Sequence, residues 1–187
     1  MKKNIKEILI QIIPVMIGVY LGFLVTNWST RKQEKARSEF LVENIIKEIE
    51  INEKLLKNVI EYHTMLRDSS RYYSREVVEF NKPQFFEGTR IIKLSNSAYN
   101  TGIQTGIINE LPLDKIQSIN QLYTYQNDYN EFGNLIMASV LNFDLSDNPN
   151  DMKKIARFLS VTMTDIAIKE NDLIEGFRKV KLKLQNE

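Results

Sequence analysis

The sequence predicts an all-α protein, with one N-terminal transmembrane helix followed by a long-helix antiparallel bundle, and three observations carry that expectation. Residues 8–26 (ILIQIIPVMIGVYLGFLVT) run for 19 positions without a charged side chain, in a chain that is 26% charged overall. Between Gly22 and Pro83 there is no Gly or Pro, and Ile45, Ile49, Asn52, Leu56, Val59, His63 and Leu66 keep the alternating four-and-three spacing of one helix face. Beyond Pro83 two further long segments carry the same period, and neither shows the strict alternation of a half-buried strand.

The apolar stretch covers roughly 28 Å as a helix, close to the hydrocarbon thickness of a bilayer. A cleavable signal peptide is the rival reading, given Lys2, Lys3 and Lys6. The run is longer than a signal core, and Thr26, Asn27 and Trp28 lead into charged helix-forming sequence with no small-residue cleavage pair. The expected division is therefore an anchor over residues 1–28 and a soluble helical-bundle domain over 29–187. Trp28 fits the lipid–water boundary, where its ring is half buried and its N–H stays wet. The basic flanks balance, with Arg31, Lys32, Lys35 and Arg37 against the three lysines and the amino terminus, so the positive-inside rule assigns no side to the domain. Gly18 and Gly22 share one face of the anchor. Small residues at that spacing let a second helix approach closely, which makes this face the candidate for packing within the membrane.

With 25 basic and 24 acidic residues the formal charge is +1, so no field over the whole molecule draws it to nucleic acid. Cysteine is absent, which removes disulfides, thiolate nucleophiles and Cys-based metal sites. Asn52 and His63 interrupt the apolar stripe of the first long helix, and His63 is the single histidine. A metal site would have to draw its other ligands from Asp and Glu alone, and a general base would need a nucleophile that no motif announces. Both residues are read as a polar seam between helices, Asn52 setting register and His63 hydrogen-bonded.

Residues 72–93 read as a helix end and a connector punctuated by Pro83 and Gly88, with Phe85 and Phe86 folding back on the core. The segment SNSAYNTGIQTGIIN lacks the lysine and hydroxyl of a phosphate loop, and reads instead as a short helix capped by Ser95 or Asn96, closely packed at Gly102 and ended at Gly106. Pro112 starts a helix running to about Phe143, with Ile116, Ile119, Tyr123, Tyr129, Ile136 and Val140 inward and Gly133 bending it or admitting a neighbour. No basic residue lies between Lys115 and Lys153 to accompany its tyrosines, which counts against nucleic acid. The loop DLSDNPND gathers Asp144, Asp147 and Asp151 but lacks the calcium-loop spacing. It reads as a turn, with Asn148 capping a last helix that starts at Pro149 and buries Ile155, Leu159, Ile166, Leu173, Phe177 and Val180.

The block IGVYLGFLVTNWSTRKQEKARSEFLVENIIKEIEINEKLL, with its Asn27–Trp28 pair after the anchor, resembles an uncharacterised group of small bacterial single-pass proteins built on a domain of unknown function. SAYNTGIQTGIINELPLDKIQSINQLY is similar to the middle region of that group. The resemblance implies one anchor in the bacterial inner (cytoplasmic) membrane and a helical domain, and supplies no catalytic residue. The expected function is a membrane-tethered interaction or scaffold module without catalysis, cofactor or metal. Its partners would be the lipid bilayer, a second copy in a homo-oligomer, or an unknown protein. Alternatives are a subunit of an oligomeric pore or membrane-perturbing effector, which an anchor with only Gln11 as a strongly polar side chain would line poorly, and a ligand-sensing bundle.

Overall fold

The computed structural model describes residues 2–75, 85–143 and 148–186; Pro83, Asp144 and Asp147, singled out above, lie outside them. Among the described residues there are four α-helices and no strand: α1 (Lys2–Arg75), α2 (Ser97–Thr105), α3 (Leu113–Leu141) and α4 (Pro149–Gln185), with a 3-10 turn at Ile107–Glu110. The fold is all-α.

Helix α1 runs 74 residues without a break, a rod of about 110 Å at 1.5 Å per residue. Its two halves differ in surroundings. The apolar side chains from Ile12 to Val25 are exposed, and the first buried residue is Ser38, followed by Leu41, Ile45, Ile49 and Leu56. By length and composition this helix is able to cross a membrane. The packed body begins only after the polar stretch 29–37, through which the helix passes uninterrupted.

The chain folds as four antiparallel legs, up, down, up and down. Helix α4 descends along α1, as the pairs Arg71 with Thr164, His63 with Glu170 and Lys181 with Glu50 and Glu53 show. Helix α3 is antiparallel to α4, with Tyr129 at Glu170 and Lys183 at Asp114. The second leg is unusual for a bundle because its upper half is not helical. Residues 88–96 form a non-helical leg, turned at Gly88 and Arg90, that meets α1 at His63 through Thr89 and at Asn52 through Ser95, and α2 completes the descent to Leu41. Extended chain advances about 3.3 Å per residue against 1.5 Å for a helix. A few residues here therefore span what needs two or three helical turns on α1.

Local signals explain the element ends. Gly106 takes φ +72° and its N–H bonds the Ile103 carbonyl, a left-handed helix stop that glycine adopts without strain. The Asn148 side chain accepts the Asn150 N–H at 3.0 Å, capping α4 just before Pro149. Leu41 and Ile91 press against Gly102 and Gly133 so closely that a Cβ would sit 2.8 Å and 2.7 Å from their methyls. Gly133 therefore admits the second leg. All six residues named for α4 are buried; of those named for α3, Ile116 and Val140 are only half-buried, as are Val59 on α1 and Phe85 and Phe86 in the connector.

Candidate functional site

The extended second leg poses a polar problem that the helices around it solve. A buried main chain without a strand partner leaves its N–H and C=O groups to be satisfied by side chains. Fully buried Asn52 on α1 accepts the Ser95 N–H at 3.0 Å and donates to the Ser95 carbonyl at 2.8 Å, as a neighbouring strand would. Asn130 on α3 does the same for Leu94, at 2.9 Å and 3.0 Å. Gln126, also fully buried, locks the arrangement by donating to the Ser95 carbonyl at 2.7 Å and accepting from Asn52 at 3.0 Å. Amide side chains suit this work because each carries a donor and an acceptor side by side.

One turn before Asn52, the buried Glu48 carboxylate collects three donors: the Tyr123 hydroxyl at 2.7 Å, the Ser95 hydroxyl at 3.0 Å and the Ala98 N–H at 2.9 Å. Ala98 lies in the first turn of α2, whose N-cap Asn96 makes no side-chain cap bond. Helix α2 is thus capped across the bundle by a carboxylate, which also suits the positive end of its dipole. Burial, and after it the bond to Glu48, pushes the Tyr123 hydroxyl far above its ordinary range, so it stays a donor.

Toward the other end lies His63, fully buried with Glu170 and Tyr129. Its Nε2 is 2.9 Å from the Thr89 carbonyl oxygen, which can only accept, so this nitrogen carries a proton. Nδ1 faces Glu170 Oε1 at 2.7 Å, and the Tyr129 hydroxyl donates to the same oxygen at 3.0 Å. Ring and hydroxyl thus converge on one carboxyl oxygen, and the other, Oε2, is buried without a hydrogen-bond partner among the described residues. Burial, then the Glu170 charge, holds Tyr129 protonated well beyond its usual range. The neighbouring Tyr62 hydroxyl donates to the Gly88 carbonyl at 2.6 Å and accepts the Glu87 N–H at 3.1 Å, while Arg90 lies over its ring and pairs with Glu87. Arg90 has φ +48°, a left-handed conformation that costs a side-chain-bearing residue energy. The loop 87–90 is held in that shape by Tyr62 and His63 together.

Two grooves lie on the surface, one of about 660 Å³ between α3 and α4 and one of about 580 Å³ at the far end of α1 and α4; His63 lines neither. Among the described residues no three His, Asp or Glu side chains gather as metal ligands. Both ring nitrogens of His63 are engaged within the fold, by the Thr89 carbonyl and by Glu170. Asn52 and His63 belong to one seam, each holding the same extended leg at a different height. Glu48, Gln126, Asn130 and Glu170 share it and went unnoticed in the sequence. Glu170 carried a signal, because it falls four residues after Ile166 and three before Leu173, at a core position where a carboxylate needs a partner.

The remaining singled-out residues lie in the exposed half of α1. Among the described residues, and apart from the backbone of its own turns, nothing stands within 4 Å of where a Cβ on Gly18 or Gly22 would sit. The Gly22 carbonyl also accepts the Thr26 hydroxyl at 2.9 Å, which satisfies that side chain inside the helix. Trp28 is 67% exposed, with the Lys32 ammonium 5.6 Å from its ring centre. Comparison of the chain with protein-family models, with curated proteins and with solved structures gives no match.

Proposed function

We propose that this chain is a membrane-tethered scaffold module, a rigid helical body carried on a single-pass anchor, and that copies associate through the anchor. The observation that carries the reading is the division of one unbroken helix into an exposed apolar half and a half buried in a bundle. Exposed apolar side chains from Ile12 to Val25 need a lipid or protein covering that the bundle does not provide. Gly18 and Gly22 present an open, small-residue face to a second helix. A non-catalytic role is supported by the sealing of His63, whose two ring nitrogens are engaged by the fold itself. On the resemblance carried by Asn27, Trp28 and the segment that follows, the chain belongs with small bacterial inner-membrane proteins.

The test is fractionation. Full-length protein should remain in membranes through carbonate washing, and residues 29–187 should be soluble and helical. A processed chain that has lost the first 25 or so residues would defeat the anchor. Replacing both Gly18 and Gly22 by Ile should reduce crosslinked oligomers without preventing insertion, because it adds bulk at the contact and no polarity.

A further inference from the structure

At the end of the body farthest from the anchor, α1 and α4 leave a groove of about 580 Å³ lined by Arg71, Ser74, Arg75, Arg157, Thr164 and Asp165, among others. Arg71 and Arg75 are one turn apart on α1, a like-charge spacing that disfavours the helix, and Arg157 faces them from α4. Lower on this seam the charges are matched, since Lys181 meets both Glu50 and Glu53. Among the described residues that line the groove Asp165 is the one carboxylate, and Arg71 also acts on the Asp68 carboxylate three residues before it. Exposed Arg71 reaches across to α4, its Nη2 donating to the Thr164 hydroxyl at 3.3 Å.

We infer that this groove binds a soluble, phosphate-bearing small molecule. Guanidinium groups present paired N–H donors whose geometry matches phosphate oxygens, and three of them, from two helices, line this one groove. The volume is that of a small-molecule site. Among the described residues Val161 is the one apolar lining residue and no aromatic ring contributes, which favours a polyphosphate or sugar phosphate over a nucleotide needing a surface for its base. A headgroup of the protein's own membrane carries the same phosphate chemistry but is out of reach. Arg71 lies about 65 Å along α1 from Trp28, and a 40° tilt of the anchor still leaves roughly 50 Å. That exclusion, and it alone, rests on the membrane reading.

The test uses the full-length chain in detergent micelles, titrated calorimetrically with pyrophosphate at physiological ionic strength. Saturable one-to-one binding is expected. Arg157→Gln and Arg75→Gln should each weaken it at least tenfold with helicity unchanged, Asp165→Asn should tighten it, and Arg178→Gln, outside the groove, should leave it alone. Absence of saturable binding at millimolar pyrophosphate would overturn the inference, as would binding indifferent to Arg157→Gln. Binding of phosphatidate in mixed micelles without binding of pyrophosphate would also overturn it, in favour of a lipid ligand. Pyrophosphate binding by a chain that washes off membranes would sink the anchor and leave the groove's assignment standing.

Discussion

His63, Glu170 and Tyr129 form a buried set in which ring and hydroxyl both bond Glu170 Oε1, while Oε2 has no partner among the described residues. Removing one is costlier than the pair is worth, because the survivor is left desolvated without its partner. His63→Ala, which strands both Glu170 and the Thr89 carbonyl, should lower unfolding free energy by about 3–5 kcal/mol in denaturant titrations. His63→Gln should cost less, since an amide can still donate to Thr89. Combining it with Glu170→Gln should cost less than the sum of the two single changes, a coupling visible in a double-mutant cycle. The tyrosines set a pH limit. Tyr123 and Tyr129 have folded pKa values raised above an unfolded value of about 10, so above that pH the unfolded chain binds fewer protons than the folded one. Stability is thus undiminished by these groups below about pH 10 and falls as pH rises past it. Absorbance at 295 nm should show the two titrating only together with loss of helicity by circular dichroism. Asn52 and His63 stood out in the sequence because they are polar on an apolar stripe. Their partners did not, because Gln126 and Asn130 look like any solvated amide on a helix, and what they hold is main chain, which leaves no mark in the pattern.

At the scale of elements, the second leg is the part the periodicity could not supply. Helix ends at Gly106, Pro112 and Pro149 were readable from residues with fixed backbone preferences. The extended stretch was readable only as a connector, since Thr89, Ile91 and Ile92 favour extended chain locally while the decision to bury that chain between α1 and α3 is made by side chains far away in sequence. Its fit can be measured through two glycines. Gly133→Ala drives a methyl to within 2.7 Å of Ile91 Cγ2, on a β-branched side chain with little freedom to turn, and should cost about 1–3 kcal/mol. Gly102→Ala meets the tip of Leu41 at 2.8 Å, which swings aside more readily, and should cost less. Thermal melts of the two variants should fall in that order. The reverse order would mean that the second leg gives way more easily than α1.

Across the whole molecule, the body and the apolar half of α1 are joined by residues 29–37, which are helical and almost wholly exposed. Only Glu34 in that stretch is even half-buried, so a Gly-Ser insertion after Ala36 should leave the bundle's melting temperature unchanged. The same insertion should broaden spin-label distances measured between residues near Trp28 and residues in α4, since only helical continuity fixes the two halves in relative orientation. A melting temperature lowered by several degrees would show that the stem contributes packing not evident from its exposure. The overall plan was legible because long helices with one apolar face announce themselves; the route by which the legs return was not, because it depends on contacts between residues 43 to 107 positions apart, such as Asn52 with Ser95 and His63 with Glu170.

An uninterrupted helix also acts as a compass. Each residue turns it by about 100°, so a bearing fixed in the apolar half is inherited by every face above it. From the midpoint of Gly18 and Gly22 to Asn52 the accumulated bearing is about 140°. Two copies meeting at the glycines would therefore stand back to back, with α3 and α4 turned outward and the arginine groove open on each. Adding a single residue within 29–37 would swing each body by a quarter turn or more, and adding seven would return it almost to its starting heading, so any activity that depends on how neighbouring bodies face one another should vanish with the first insertion and reappear with the second.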